Sequence, residues 1–192
     1  MSLIAGARKF DLPSALFAAF SILYPLIAVA TIRAFGPGTA FLLLLVILGA
    51  RSLLPIMRGV PISLGLSLLP VFGAVLAVGA FDRQLSVRLY PVFMNLAMLA
   101  AFAVTLWHPP SMIERFARIF EPDLPPSGVR YTYRVTIVWV GFFALNGAIA
   151  LWSVLQRGWT AWTVYNGFIA YVAVAILFAG EYVVRQFVRR AS

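Results

Sequence analysis

Cysteine is absent from this 192-residue chain, which excludes disulfides and thiolate metal sites and leaves its redox compartment open. Histidine occurs once, at His108, and lysine once, at Lys9. Acidic residues number only six, against 15 basic ones. His108, Glu114 and Asp123 fall in one loop, but nothing joins them at metal-ligand or catalytic-triad spacing. Enzymatic chemistry is therefore poorly supplied, and the chain reads as non-enzymatic, with no metal or cofactor implied. A net charge of +9 in a soluble protein would suggest nucleic acid. Here no aromatic residues interleave with a basic surface, and arginine at a membrane's cytosolic face accounts for the excess.

Charge is missing above all from six long stretches: 12–32, 34–50, 59–81, 89–107, 135–156 and 158–180. Each approaches or falls within the roughly 17–25 apolar residues that span about 30 Å of hydrocarbon. With 62% hydrophobic residues and a mean hydropathy of +0.96, little chain remains for a soluble region. The expected fold is all-α: a polytopic membrane protein, one six-transmembrane-helix bundle over residues 1–192, with a short cytosolic interfacial amphipathic helix. The first stretch is uninterrupted for 21 residues, longer than the about 7–15 of a signal-peptide core, so it reads as a retained span.

Six spans place the N-terminus, the second and fourth loops and the C-terminus on one side. Eleven basic residues lie there, Arg115, Arg118, Arg130 and Arg134 among them, against Arg33, Arg83, Arg88 and Arg157 on the other. The positive-inside rule then puts both termini in the cytoplasm. The outward connections are short, at Gly36-Pro37-Gly38, at 82–88 and at 156–161. Trp152, Trp159, Trp162 and Tyr165 gather at the outer ends of the last two spans and read as an interfacial anchoring belt.

The largest cytosolic segment runs from His108 to Arg130. His108-Pro109-Pro110 stops the fourth span, and Ser111 with Glu114 reads as a capping box. Met112, Ile113, Phe116, Ile119 and Phe120 then recur on one face, opposite Glu114, Arg115, Arg118 and Glu121. This predicts a short helix over 111–120 in the headgroup plane, with Phe116 and Phe120 turned to bilayer or bundle. Two roles stand open for it. It is a brace for the bundle, or Arg115, Arg118 and Arg130 contact lipid headgroups or a partner.

Polar side chains within hydrocarbon are costly and so mark candidate sites. They are Asn95, Asn146, Asn166 and Glu181, with Arg134 at the inner boundary. Spans five and six are joined by a very short turn, so residues equidistant from it share a depth. Asn146 and Asn166 each lie ten residues from Gln156 and should be level, as should Arg134 and Glu181. The asparagines either tie helices together or line a pocket for a headgroup or solute. Glu181 has two candidate partners, Arg134 across the hairpin and Arg185 one turn on.

These residues carry a family resemblance. Arg88-Leu89-Tyr90-Pro91 with Asn95, the run from Pro109 to Arg115, and Glu121-Pro122-Asp123-Leu124-Pro125-Pro126 begin it. Val129-Arg130-Tyr131-Thr132, Trp139, Phe142-Phe143, Asn146-Gly147 and Tyr165-Asn166-Gly167 continue it. Over roughly residues 80–185 the chain resembles a family of uncharacterised bacterial inner-membrane proteins, distantly similar to intracellular septation protein A. The distant link rests on Trp139, Phe142-Phe143 and shared hydropathy. The resemblance implies a place in envelope maintenance and division, and the closer family often stands near the biosynthesis of fatty-acid-like or aryl-polyene lipids. It carries over no catalytic residue.

The expected function is a non-enzymatic inner-membrane protein supporting cell-envelope or lipid assembly, with a small transporter or flippase for a lipid or acylated intermediate as the alternative. The expected partners are membrane lipids, with envelope or lipid-biosynthesis proteins on the cytosolic face and a homo-oligomer both compatible. Topology reporters fused at Arg83 and Arg157 should read periplasmic and one at Glu121 cytoplasmic; the opposite pattern would discard the orientation.

Overall fold

The computed structural model describes residues 24–57, 68–156 and 158–190, and every regular element among them is helical. Along the chain these are α1 (Tyr24–Phe35), α2 (Pro37–Met57), α3 (Leu69–Gly79), α4 (Arg83–Trp107), α5 (Met112–Phe120) and α6 (Pro126–Leu155). They are followed by α7 (Thr160–Val164), a π-helical turn (Tyr165–Ile169) and α8 (Ala170–Arg190). The last three run on as a single rod.

Three helices are long and apolar enough to cross a membrane: Arg83–Trp107, Pro126–Leu155 and Thr160–Gln186. They correspond to the expected fourth, fifth and sixth spans, each begun or ended several residues away from its charge-free window. The second expected span falls on α2, whose apolar part, Pro37–Ser52, is likewise a shorter apolar helix, and Gly36 breaks the helix inside the expected 34–50 window. The first and third fall partly on residues outside the described ones, and α1 and α3 are their described portions, shorter apolar helices.

Local chemistry sets the boundaries. Gly36 separates α1 from α2 with φ +85°, a left-handed conformation that side chains disfavour, and its N–H donates to Ile32 O at 2.9 Å. Asp82 caps α4 by accepting from Leu85 N at 2.9 Å. Pro125 and Pro126 start α6, where a missing N–H costs nothing.

The helix α4 is central, touching α2, α3, α5 and α6, and its contact with α6 is the most extensive in the bundle. One core cluster gathers Leu44 and Leu48 of α2, Val75 of α3, Val87 and Tyr90 of α4, and Trp162 of α7. A second joins Phe102 of α4 to Trp139 and Phe143 of α6. Its rings meet edge-on or tilted, with Phe102 and Phe143 centroids 5.1 Å apart and Trp139 and Phe178 of α8 4.7 Å apart. Outside these clusters the bundle is apolar to its surface. Leu42, Val46, Leu145, Ile176 and Val183 are more than half exposed, as expected where the surrounding medium is hydrocarbon rather than water.

The close approach of α4 and α6 depends on Gly147. A Cβ there would sit 3.1 Å from Asn95 Cβ, tighter than ordinary van der Waals contact, whereas one at Gly141 on the same helix would meet nothing within 4 Å. Gly147→Val should therefore cost about 1–3 kcal/mol through overpacking, while Gly141→Val should be close to neutral. Detergent unfolding of both variants checks this, and equal losses would refute the packing assignment.

Candidate functional site

Polar side chains collect at two places along the bundle. The first lies where α4, α6 and α7 meet. Asn146 Nδ2 donates to Asn95 Oδ1 at 2.8 Å, and Tyr165 Oη donates to Asn146 Oδ1 at 2.7 Å. Asn95 Nδ2 in turn donates to Pro91 O at 2.8 Å. Asn166 Nδ2 donates to Ser153 Oγ and to Trp162 O, each at 3.0 Å. Asn146 and Asn166 therefore lie in one neighbourhood, as the hairpin count expects, but do not bond to each other. The π-helical turn begins at Tyr165 and turns Tyr165 and Asn166 to different partners on α6.

The same region holds a residue that its sequence context hides. Arg88 counts among the loop charges by composition, yet it lies inside α4, two residues beyond the fully buried Ser86. Its Nη2 donates to the carbonyls of Ser153 (3.3 Å), Gln156 (2.9 Å) and Gly158 (3.2 Å). The last carbonyls of a helix have no partner within it and carry the negative end of its dipole, so the guanidinium closes the end of α6. It also lies 5.3 Å from the ring centroid of Trp159, within cation–π range. Trp162 Nε1 donates to Arg88 O at 2.9 Å.

This corrects the expected tryptophan belt. Trp162 is fully buried and belongs to the core, Trp159 stacks by Arg88, and only Trp152 of the three faces outward, 55% exposed. The Arg88-Leu89-Tyr90-Pro91 sequence is the signal that could have exposed this arrangement. Pro91 removes the N–H that would serve Val87 O, and in the same turn the carbonyls at 88 and 91 accept side-chain donors from Trp162 and Asn95.

The second place is the opposite end of the bundle, built by α5. Ser111 is its N-cap, and Glu114 closes the capping box by accepting from Ser111 N at 3.4 Å. The next N–H groups reach into the bundle. Met112 N donates to Thr105 Oγ1 at 2.9 Å and Ile113 N to Thr136 Oγ1 at 3.2 Å, both threonines being buried. Helix N-termini leave several N–H groups unpartnered, and here hydroxyls from α4 and α6 take two of them.

Glu114 is not on an exposed polar face. It is 6% exposed and paired with Arg118 at 2.8 Å, the ion pair found among the described residues. Arg118 also donates to Pro122 O at 2.8 Å, and Arg115 donates to Pro110 O at 2.8 Å and His108 O at 3.3 Å. Both arginines therefore brace α5 and its flanking turns. Arg130 is exposed on the first turns of α6. His108 ends α4, its Nδ1 3.2 Å from Val104 O.

Between α5, the start of α6 and α8 lies a cavity of about 340 Å³. Phe116, Phe120 and Phe178 line it together with Tyr131, Glu121, Glu181 and Arg185. Phe116 and Phe120 line this groove while remaining 51% and 87% exposed. The expected pairing of Glu181 fails. Arg134 is exposed on α6, and neither it nor Arg185 forms an ion pair with Glu181. The depth is right, because Tyr131 Oη donates to Glu181 O at 3.3 Å. Arg134, three residues further on and about 60° round the helix from Tyr131, is exposed and makes no ion pair with Glu181.

A second cavity, of about 370 Å³, opens among Leu26, Val29, Arg33, Trp159 and Thr163 at the turn end. Neither cavity is lined by Asn95, Asn146 or Asn166. Comparison with protein-family models, with curated proteins and with solved structures finds no match to this chain.

If Asn95 and Asn146 act as one tie, Asn95→Ala and Asn146→Ala should each destabilise the protein, and the double variant should lose less than their sum. The coupling should be about 0.6 kcal/mol, with an upper bound of about 2 kcal/mol. Equilibrium unfolding in mixed micelles measures it, and strict additivity would remove the tie.

Proposed function

We propose that this chain is a non-enzymatic protein of the bacterial inner membrane that supports envelope or lipid assembly. In this reading it is a six-span bundle with both termini, and α5, on the cytoplasmic side. It belongs with the septation protein A-like proteins its motifs resemble. The observation that carries the reading is the state of its intramembrane polar groups. Asn95, Asn146 and Asn166 are bonded to Tyr165, Ser153 and backbone carbonyls and line neither cavity. A carrier needs polar groups free to face a path, and these are bonded to neighbouring side chains and carbonyls.

The accessible chemistry lies instead at the cytoplasmic boundary, where the groove beside α5 offers phenylalanines next to charges of both signs. That combination suits an amphiphile lying with its chain in the bilayer and its head at the interface. The alternative, a small transporter or flippase, draws on the π-helical turn and on Pro91, both beside the asparagine cluster. Such backbone irregularities are where helices rearrange and often mark functional positions.

Purified in mild detergent, the protein should retain phospholipid or an acylated intermediate, and Phe116→Asp should reduce the amount recovered. Vesicles carrying the protein should move lipid between leaflets no faster than protein-free ones. Lipid movement that Asn146→Leu abolishes would replace the accessory role with the transporter.

A further inference from the structure

The groove beside α5 has a polarity that narrows its occupant. Glu181 and Arg185 stand one helical turn apart on α8 and both line it. Opposite charges at this spacing commonly pair, yet these two make no ion pair with each other or with another described residue. Tyr131 Oη donates to Glu181 O and so fixes the α8 backbone at the level where the two charged groups project. Glu121 adds a second carboxylate to the lining. Phe116 and Phe120 of α5 add apolar lining, and 340 Å³ lies within the range of small-molecule sites.

Each feature excludes a class. A simple anion would meet the Glu181 carboxylate beside the Arg185 guanidinium, and a soluble cation would leave the phenylalanine lining unused. Resting on the lipid-handling reading above, we propose that this groove binds a zwitterionic aminophospholipid headgroup. Its primary ammonium donates to the Glu181 carboxylate, its phosphate accepts from Arg185, and its first methylenes lie along Phe116 and Phe120. A carboxylate acts here by accepting charge-assisted hydrogen bonds. A primary ammonium supplies N–H donors and a quaternary one does not, so phosphatidylethanolamine fits and phosphatidylcholine does not.

The test is native mass spectrometry of the delipidated full-length protein titrated with phosphatidylethanolamine, phosphatidylcholine and phosphatidylglycerol. Phosphatidylethanolamine should bind about tenfold more tightly than either of the others. Glu181→Gln, nearly the same shape, should erase that preference, and Arg185→Gln should weaken all three lipids together. Phe120→Ser alters an exposed position that the core does not use, so it should lower lipid retention without lowering the unfolding midpoint. Preference for phosphatidylglycerol, or an ethanolamine preference that survives Glu181→Gln, overturns the amine assignment while a lipid groove still stands. Retention of no lipid by the wild-type protein overturns both.

Discussion

Three carbonyls and one guanidinium hold the turn end of this bundle together. Arg88 Nη2 reaches the carbonyls of Ser153, Gln156 and Gly158, while the carbonyl of Arg88 takes the indole N–H of Trp162. A long helix must end somewhere, and its last carbonyls need donors from outside the helix. Supplying them from α4 fixes the exit of α6, the entry of α7 and the position of α4 between them. The asparagine cluster depends on that placement. Asn146 meets Asn95 across the α4–α6 contact and takes Tyr165 from the turn that follows α7, and Asn166 reaches Ser153, whose own carbonyl is one of those Arg88 closes.

At the other end the same accounting is met by threonine. Thr105 and Thr136 offer hydroxyl oxygens to the first N–H groups of α5, and Thr136 itself donates to Thr132 O at 2.8 Å. Glu114 and Arg118 then finish the helix with a capping bond and an ion pair one turn apart. This makes α5 a fixed part of the bundle rather than a helix floating on the surface. Met112 and Ile113 pack onto the Phe102–Trp139–Phe143 cluster, while Phe116, Ile119 and Phe120 extend beyond it.

The parts of this arrangement legible in the sequence are those that depend on one-dimensional order. Charge-free runs locate the apolar helices, Ser111 with Glu114 marks the start of α5, and Gly36 marks the break before α2. Counting from the turn sets depth correctly, since Tyr131 and Glu181 are equidistant from residue 156 and are hydrogen-bonded. Azimuth is the information that counting lacks. Each residue turns a helix by about 100°, so a shared depth does not by itself bring Arg134 and Glu181 into an ion pair. The π-helical turn adds a further rotation at Tyr165–Ile169 that no count anticipates. Burial follows azimuth, which is why Trp162 and Glu114, an interfacial aromatic and a surface acid by composition, are both interior. Arg88 was illegible for a related reason. A charge at the edge of an apolar run reads as a loop residue until a neighbouring helix is known to end beside it.

The two ends therefore differ in what their polar groups still have to offer. At the turn end, Arg88 Nη2, the Trp162 indole and the three asparagines are committed to carbonyls, to Ser153 or to one another, and rearranging them would expose several helix-end groups at once. At the α5 end, Arg115, Arg118 and Glu114 are likewise committed, but they hold the helix in such a way that the groove beneath it stays lined by Glu181, Arg185 and phenylalanine. The basic residues that look most suited to touching lipid are the braces. The residues that face the groove are a pair of opposite charges whose spacing alone would suggest a closed ion pair. In the proposed reading, chemistry directed at a membrane amphiphile belongs to the frame that α5 builds over α6 and α8, and the hydrogen-bonded interior keeps that frame in place.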